Sequence, residues 1–240
     1  MTEDTDAGVE RILILAAHPD DVDFGAGGTV AHWTDAGIEV SYCVATSGDA
    51  GGFGDTPRHE MVGLREAEQR AAAEVLGVHD VEFLRQPDGA LYPTMELRKG
   101  YSRAIRRVRP HRVLIQSPEI DWRWVGAAHP DHRASGQAGL AAVYPDARNP
   151  FSHPALIVEE GLQAWSAHQL WIMSGPRDAH AVDITETFDR KVAALREHRS
   201  QTANQENLET SLRRFGSVTA TRYGLRDGLL AESFQVVHIT

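Results

Sequence analysis

The chain reads RILILAAHPDD between residues 11 and 21, and this stretch decides the fold. Apolar residues run without a break from Ile12 to Ala17, a pattern typical of a strand that is covered on both faces within a mostly parallel sheet. A histidine, a proline and two aspartates follow at once. We therefore predict a central first strand over residues 11–17 that leads directly into a polar turn.

Helical and apolar segments alternate along the rest of the chain. Residues 25–36 have helical character, and residues 38–44 are apolar and rich in β-branched and aromatic residues, which gives a strand, helix, strand unit. The alternation continues with helices over 58–76, 95–108, 129–143, 185–199 and 207–222, and with strands over 81–84, 113–116 and 168–173. This order predicts an α/β fold, Rossmann-like and doubly wound, with a mostly parallel sheet, helices on both faces and a metal site at the C-terminal ends of the strands.

Length and composition limit the domain organisation and the partners. A chain of 240 residues can bury one sizeable α/β core, so we predict a single catalytic domain over residues 11–240 after a disordered acidic tail over residues 1–10. The formal net charge of −10 disfavours nucleic acid, since its binding relies on Lys and Arg. No segment resembles a signal peptide or a membrane span, which predicts a cytoplasmic protein without a membrane partner. The only cysteine, Cys43, is expected to be a buried strand residue.

Two histidine-containing motifs point to metal chemistry. His18-Pro19-Asp20-Asp21 follows the first strand, where two ionised carboxylates need a metal or another partner because burial disfavours their charge. His129-Pro130-Asp131-His132 places two histidines at positions i and i+3, which share a face if they open a helix. Together the two motifs predict a metal site.

These residue types suit a catalytic zinc site, which has three imidazole or carboxylate ligands and one position open for water. His18, Asp21 and His132 could supply that set, and Asp20 is then available for proton transfer. Asp131 could fix the orientation of a histidine from outside the coordination sphere. The identity of the metal stays open, Fe²⁺ included.

Other interpretations fit the sequence less well. Gly25, Gly27 and Gly28 lack the G-x-G-x-x-G spacing of a dinucleotide site, and the acidic loop before them would repel a phosphate. A non-haem iron oxygenase uses a similar ligand set, but the predicted α/β fold and the His-x-x-Asp spacing favour hydrolysis. A phosphoesterase would usually need more carboxylates or a second metal. A non-catalytic metal or small-molecule binding protein stays open as the alternative, although it needs no spare base.

At these motifs the sequence resembles the PIG-L/LmbE-like family of de-N-acetylases, and the resemblance spans nearly the whole chain. Besides the two motifs, the matching segments are Arg65-Glu66-Ala67-Glu68, Pro87-Asp88-Gly89, His198-Arg199-Ser200-Gln201 and Glu232-Ser233-Phe234. The resemblance implies a zinc-dependent enzyme that removes an acetyl group from an N-acetylated amino sugar, a sugar conjugate or a related small metabolite. The alternative activity within this family is that of an amidase acting on mycothiol-type conjugates.

The resemblance also implies roles for individual residues. The metal ligands that it implies are His18, Asp21 and His132. Asp20 is the implied general base, and His129 assists the transition state together with Asp131. Arg65 and Asp88 match positions that contact substrate in the family. The alternative is that Arg65 is a charge on a helix surface and Asp88 a turn former. Ala127 stands where some relatives have a tyrosine, so that hydroxyl is absent or supplied from elsewhere. Trp122 and Trp124 suit either sugar stacking or packing, and assembly into a homo-oligomer stays open.

Overall fold

The computed structural model of the chain describes residues 6–52 and 56–239. Within them, seven strands form one sheet: β1 (Arg11–Ala16), β2 (Glu39–Thr46), β3 (Asp80–Gln86), β4 (Arg112–Gln116), β5 (Gln169–Met173), β6 (His180–Asp183) and β7 (Ala231–His238). They lie in the order β3-β2-β1-β4-β5-β7-β6. The first five strands pair in parallel, which confirms the predicted α/β fold with a mostly parallel sheet.

Helices cover both faces of the sheet, as predicted. The described residues contain α1 (Asp21–Asp35), α2 (Arg58–Val75), α3 (Met95–Val108), α4 (Pro130–Ala141), α5 (Ala155–Val158), α6 (Phe188–Glu197), α7 (Arg199–Thr202) and α8 (Leu208–Arg222). Apolar residues of α1, α2 and α6 pack on one side of β1 with Ile12 and Ile14. Residues of α3 and α4 pack on the other side with Leu13 and Leu15. The continuous apolar run of β1 therefore reflects burial on both faces.

Strands β6 and β7 were not predicted. They pair antiparallel with each other, and β7 pairs antiparallel with β5. Their sequences mix polar and apolar side chains, as in Glu232, Ser233 and Gln235, because several of their side chains are only partly buried. A strand without a long apolar run or strict alternation leaves no clear pattern.

Helix α1 begins at Asp21, earlier than the predicted residue 25, so the acidic turn and the helix overlap. The glycines after that turn serve close packing: a Cβ on Gly28 would lie 2.7 Å from the Cβ of Ile184, and a Cβ on Gly25 would lie 2.8 Å from the Sδ of Met173. Steric contact with the neighbouring elements thus explains the glycines that resembled a phosphate-binding loop.

The N-terminal segment is partly packed against the domain. Residues 1–5 of the predicted tail lie outside the described residues, whereas Val9 is buried and the carboxylate of Asp6 contacts the guanidinium of Arg112 at 2.7 Å. Cys43 is fully buried in β2, as predicted. Among the described residues, no helix is long and apolar enough to cross a membrane.

Candidate metal centre and catalytic site

Both histidine motifs lie beyond the carboxyl ends of neighbouring parallel strands. Residues 18–21 follow β1, and residues 129–132 follow β4 through an intervening loop and open α4. The sheet grows from β1 toward β2 and β3 on one side and toward β4 on the other. Such a switch point forms a crevice in which α/β proteins bind ligands, so the topology brings the two motifs together.

The first motif turns sharply because Asp20 adopts a left-handed backbone conformation, with φ of 87°. A non-glycine residue in this region is strained by about 1–3 kcal/mol and needs support from its surroundings. The backbone N–H of His18 donates to the carboxylate of Asp21 at 2.7 Å, and the N–H of Asp20 donates to the side-chain oxygen of Gln69 at 2.8 Å. These bonds hold the turn on both sides of the strained residue.

The three predicted metal ligands lie in contact. Oδ1 of Asp21 lies 3.0 Å from Nε2 of His132, and Oδ2 of Asp21 lies 3.4 Å from Nδ1 of His18. The ring nitrogen Nδ1 of His132 lies 3.3 Å from the carbonyl of Ala127, a partner that favours a proton on Nδ1 and leaves Nε2 as a metal donor. Donor atoms also lie within 4.8 Å of one another in two other groups, His18 with His129 and His132, and His18 with Asp88 and Asp131, so the distances admit more than one ligand set.

Two further carboxylates hold the far side of His18. Nε2 of His18 lies 3.1 Å from Asp88 and 3.2 Å from Asp131. Asp131 is itself fixed by the backbone N–H groups of Gly89 and Leu91, at 2.8 and 3.2 Å. Carboxylates in this position orient a ligating histidine and set its tautomer. The carboxylate of Asp131 thus contacts His18, rather than the ring of His129.

The side chain of Asp20 is held by Arg65. The guanidinium of Arg65 donates to the Asp20 carboxylate at 3.2 Å and to the carbonyls of Pro19 and Gly48 at 2.7 and 2.9 Å. Arg65 is buried, so these short contacts fix both the backbone and the side chain of the turn. The carboxylate of Asp20, which lies beside the candidate donor set, is therefore supported separately from it, by Arg65.

His129 occupies the N-cap of α4, where its Nδ1 accepts a hydrogen bond from the backbone N–H of Asp131 at 3.2 Å. That bond places the proton of the neutral ring on Nε2. The side chain is exposed, and its pKa is lowered by partial burial and by the nearby imidazoles of His18 and His132. His129 can thus act as a hydrogen-bond donor at the open side of the centre.

The electrostatics of His18 show a surplus of negative charge. Burial disfavours the charged imidazole, but the carboxylates of Asp21, Asp131 and Asp88 outweigh burial and raise the pKa of His18 to about 12. An imidazole surrounded by three carboxylates retains a proton where no other cation offsets them. The same surroundings favour a metal cation.

The two adjacent aspartates of the first motif shift in opposite directions. Burial raises the pKa of Asp20 to about 6, although Arg65 opposes the shift. Burial also acts to raise the pKa of Asp21, but His132 and His18 outweigh it and hold that pKa well below its ordinary value. Neighbouring carboxylates with such different surroundings are suited to different tasks, one to binding a cation and the other to proton transfer.

The donor set fits a divalent cation. Four carboxylates meet at this centre: Arg65 pairs with that of Asp20, while those of Asp21, Asp88 and Asp131 contact His18. Imidazole nitrogens and carboxylate oxygens are the donors that zinc uses in catalytic sites, and a divalent charge would offset the surplus.

Two residues predicted to contact substrate have partners within the centre. Arg65 and Asp88 are both buried, and the carboxylate of Asp88 accepts from the N–H of Ala50 at 2.6 Å besides its contact with His18. Their contacts therefore support Asp20 and His18. A role in binding substrate stays a prediction for both.

Three buried polar residues behind Asp20 were missed in the sequence. Gln69, Asp23 and His198 are each fully buried and hydrogen-bonded in a chain that ends at the backbone of Asp20. His198 lies in a segment noted for family resemblance, which was the only available signal. Asp23 was assigned to a loop because the start of α1 was predicted too late.

The fold and the donor set define an α/β protein with a candidate histidine and aspartate metal centre at the switch point of its sheet. Residues 13–143 match the sequence model of the GlcNAc-PI de-N-acetylase family, PIG-L. The chain belongs to this family, as the two motifs predicted.

Individual relatives agree with this assignment. The chain is 34% identical to diacetylchitobiose deacetylase of Thermococcus kodakarensis over 194 residues, which cover 80% of this chain and 70% of that protein. It is 31% identical to a probable N-acetyl-alpha-D-glucosaminyl L-malate deacetylase 2 of Bacillus cereus, with 80% of this chain and 84% of that protein covered. The solved N,N'-diacetylchitobiose deacetylase from Pyrococcus horikoshii has a TM-score of 0.88 at 27% identity and covers 98% of this chain and 86% of its own. The predicted class, an amide-hydrolysing de-N-acetylase, is confirmed.

Proposed function

We propose that this protein is a zinc-dependent deacetylase that removes the acetyl group from N-acetylglucosamine units of small sugars or sugar conjugates. The observation that carries this proposal is the separate carboxylate of Asp20, which lies beside the His/His/Asp donor set and contacts Arg65 at 3.2 Å. A binding-only site has no need for such a carboxylate, whereas hydrolysis needs a base.

The residues divide the work as follows. His18, Asp21 and His132 hold the metal, and Asp88 and Asp131 orient His18 through its far nitrogen. The bound ion would polarise the amide carbonyl and make water a stronger acid. Asp20 accepts the proton as water attacks the carbonyl carbon, and His129 donates from Nε2 to the oxygen on which negative charge develops. The C–N bond then breaks, and Asp20 gives the proton that it took from water to the leaving amine.

The relatives support the substrate class. The names of the first two relatives specify diacetylchitobiose and an N-acetyl-glucosaminyl malate as their substrates, and both compounds contain an N-acetylated glucosamine unit. The exposed aromatic side chain of Trp122 precedes the second motif and suits the apolar face of a sugar ring. We therefore place the acetamido sugar, rather than an acetylated amino acid, at this centre.

A substrate panel tests the proposal. The protein, loaded with zinc, is incubated with N-acetylglucosamine, diacetylchitobiose, N-acetylglucosaminyl conjugates, a mycothiol-type conjugate and acetylated amino acids, and released acetate is measured. We expect acetate from at least one N-acetylglucosamine compound, loss of release after chelation, and recovery on adding zinc. Recovery by Fe²⁺ alone would replace zinc in the proposal. Cleavage of the thiol conjugate only would favour the amidase, and binding without turnover would favour a binding protein.

A matched pair of variants tests the ligand set. His132→Ala and His129→Ala remove imidazoles that lie in the same cluster and the same motif. We expect His132→Ala to lose bound metal by elemental analysis and His129→Ala to keep one equivalent while turnover falls. If both variants lose metal, the three histidines form the ligand set instead.

A further inference from the structure

A buried polar chain lies behind Asp20. The carboxylate oxygen Oδ2 of Asp23 lies 2.8 Å from Nε2 of His198 and accepts from the side-chain amide of Gln69, also at 2.8 Å. The amide oxygen of Gln69 in turn accepts from the backbone N–H of Asp20 at 2.8 Å. The side chains of Asp23, Gln69 and His198 are entirely removed from solvent. Three elements, α1, α2 and the junction of α6 with α7, therefore meet at one backbone group of the catalytic turn.

The chain has a defined direction. The backbone N–H of Asp20 can only donate, so the Gln69 side chain must present its oxygen to Asp20. Its NH₂ group then faces the carboxylate of Asp23. His198 reaches Asp23 through a ring nitrogen and so fixes the carboxylate from the other side. The orientation of Gln69 thus depends on Asp23 and His198.

The arrangement is a poor one for stability alone. Within the described part of the chain, Oδ1 of Asp23 and Nδ1 of His198 are buried without a hydrogen-bond partner. Buried polar groups are usually satisfied, and an incompletely satisfied cluster is inferior to an apolar core. A cluster of this kind at a strained residue is more consistent with a functional constraint than with packing.

We propose that Gln69, Asp23 and His198 form a positioning relay that keeps Asp20 in its left-handed conformation and so aims its carboxylate at the attacking water. The relay rests on the proposed function, in which Asp20 is the base. Arg65 holds the carboxylate of Asp20 directly, and Gln69 holds its backbone. Rotation of the Asp20 backbone would move the carboxylate away from Arg65, and displacement of a base by about 1 Å can lower turnover on the order of 10²-fold.

A double-mutant cycle in zinc-loaded protein tests the relay. Gln69→Met keeps the side-chain length and removes both hydrogen bonds. We expect one equivalent of bound metal, KM within about threefold of wild type and kcat lower by about 10–100-fold. In an Asp20→Asn background, the same substitution should change kcat by less than about twofold, because residues that act as one unit are not additive. Unchanged kcat in the single variant, or a full additional loss in the double variant, would overturn the proposal.

Gln169→Met is the matched control. Gln169 likewise holds neighbouring groups through its side-chain amide, whose oxygen accepts hydrogen bonds from Arg112 and Trp171, but it lies at the amino end of the parallel strands. We expect it to lower Tm without changing kcat. If Gln169→Met loses as much kcat as Gln69→Met, general destabilisation explains the effect at Gln69 and the relay is contradicted.

Crystal structures of the variants test the relay without any measurement of turnover. In Gln69→Met we expect Asp20 to leave the positive φ region or its carboxylate to separate from Arg65, whereas an unmoved Asp20 contradicts the relay. If Gln69→Met does not fold, Asp23→Asn carries the same measurements, since it preserves the side-chain volume. A wild-type protein that releases no acetate would refute the proposed function, while the crystal structures would still decide whether the relay holds Asp20.

Discussion

The turn of the first motif and the loop over residues 121–128, which leads to the second motif, differ sharply in burial. In the first, the side chains of His18, Asp20 and Asp21 are 12%, 16% and 9% exposed. In the loop that leads to the second, Trp122 and Trp124 are 79% and 53% exposed. The first loop is held by hydrogen bonds from several elements, whereas the second loop presents large side chains to solvent.

This difference separates two tasks. Residues that bind a metal and move a proton need fixed positions, and burial among hydrogen-bonding partners provides them. A loop that contacts varied substrates can be exposed, because its side chains define the opening of the site rather than the geometry of the reaction. We therefore expect substitutions in the first loop to act on kcat or metal content, and substitutions in the second loop to act more weakly and partly on KM.

The largest effect is expected for Asp20→Asn. The amide cannot accept the proton of the attacking water, so kcat should fall by about 10³-fold, within the usual range for loss of a general base. Metal content should stay at one equivalent, as measured by elemental analysis beside steady-state kinetics. An active Asp20→Asn enzyme with its metal in place would remove Asp20 from its assigned role.

A smaller effect is expected for His129→Phe. Phenylalanine keeps a ring of similar size but cannot donate a hydrogen bond, so kcat should fall by about 10²-fold, comparable to the loss of one group that stabilises an oxyanion. Metal content serves as the control, because His129 is not among the proposed ligands. Depletion of the metal in this variant would assign His129 to the coordination sphere and would show that an exposed position next to the second loop also binds the metal.

The smallest effect is expected for Trp122→Ala. If the exposed indole stacks on the sugar, its loss should raise KM by about 2–10-fold, which corresponds to an aromatic contact of about 0.5–1.5 kcal/mol. Tm should hardly change, since the side chain lies at the surface. Trp124→Ala is the control: Trp124 packs against Phe215, with ring centroids 5.5 Å apart, so its loss should lower Tm. An unchanged KM for every substrate in Trp122→Ala would exclude the stacking role.

The sequence predicted the parallel half of the fold well, for a physical reason. Strands such as β1 are buried on both faces, and such strands consist of a continuous run of apolar residues. Strands β6 and β7 are partly exposed and lack that run. The first motif was equally visible because histidine, proline and aspartate at the end of a buried strand have few structural explanations, and the second because it places two histidines at positions i and i+3.

The supporting residues were harder to predict because their roles depend on contacts across the fold. Gln69 lies on α2, and its local sequence does not distinguish it from a surface position. Its partner Asp20 is 49 positions away. His198 is a single histidine at the end of a helix, where an ordinary structural role is the usual interpretation. Only the packing of α1, α2 and α6 shows that both residues contact Asp23 behind that turn.

The left-handed backbone at Asp20 restricts which residues can occupy position 20, independently of proton transfer. Aspartate, asparagine and glycine tolerate positive φ, whereas alanine and β-branched residues do so poorly. An alanine scan would therefore remove the carboxylate and distort the turn at once, and it would overstate the chemical contribution of the side chain. During evolution, the same restriction would limit descendants that abandon hydrolysis but keep this turn to a small set of residues, with asparagine and glycine the most accessible replacements.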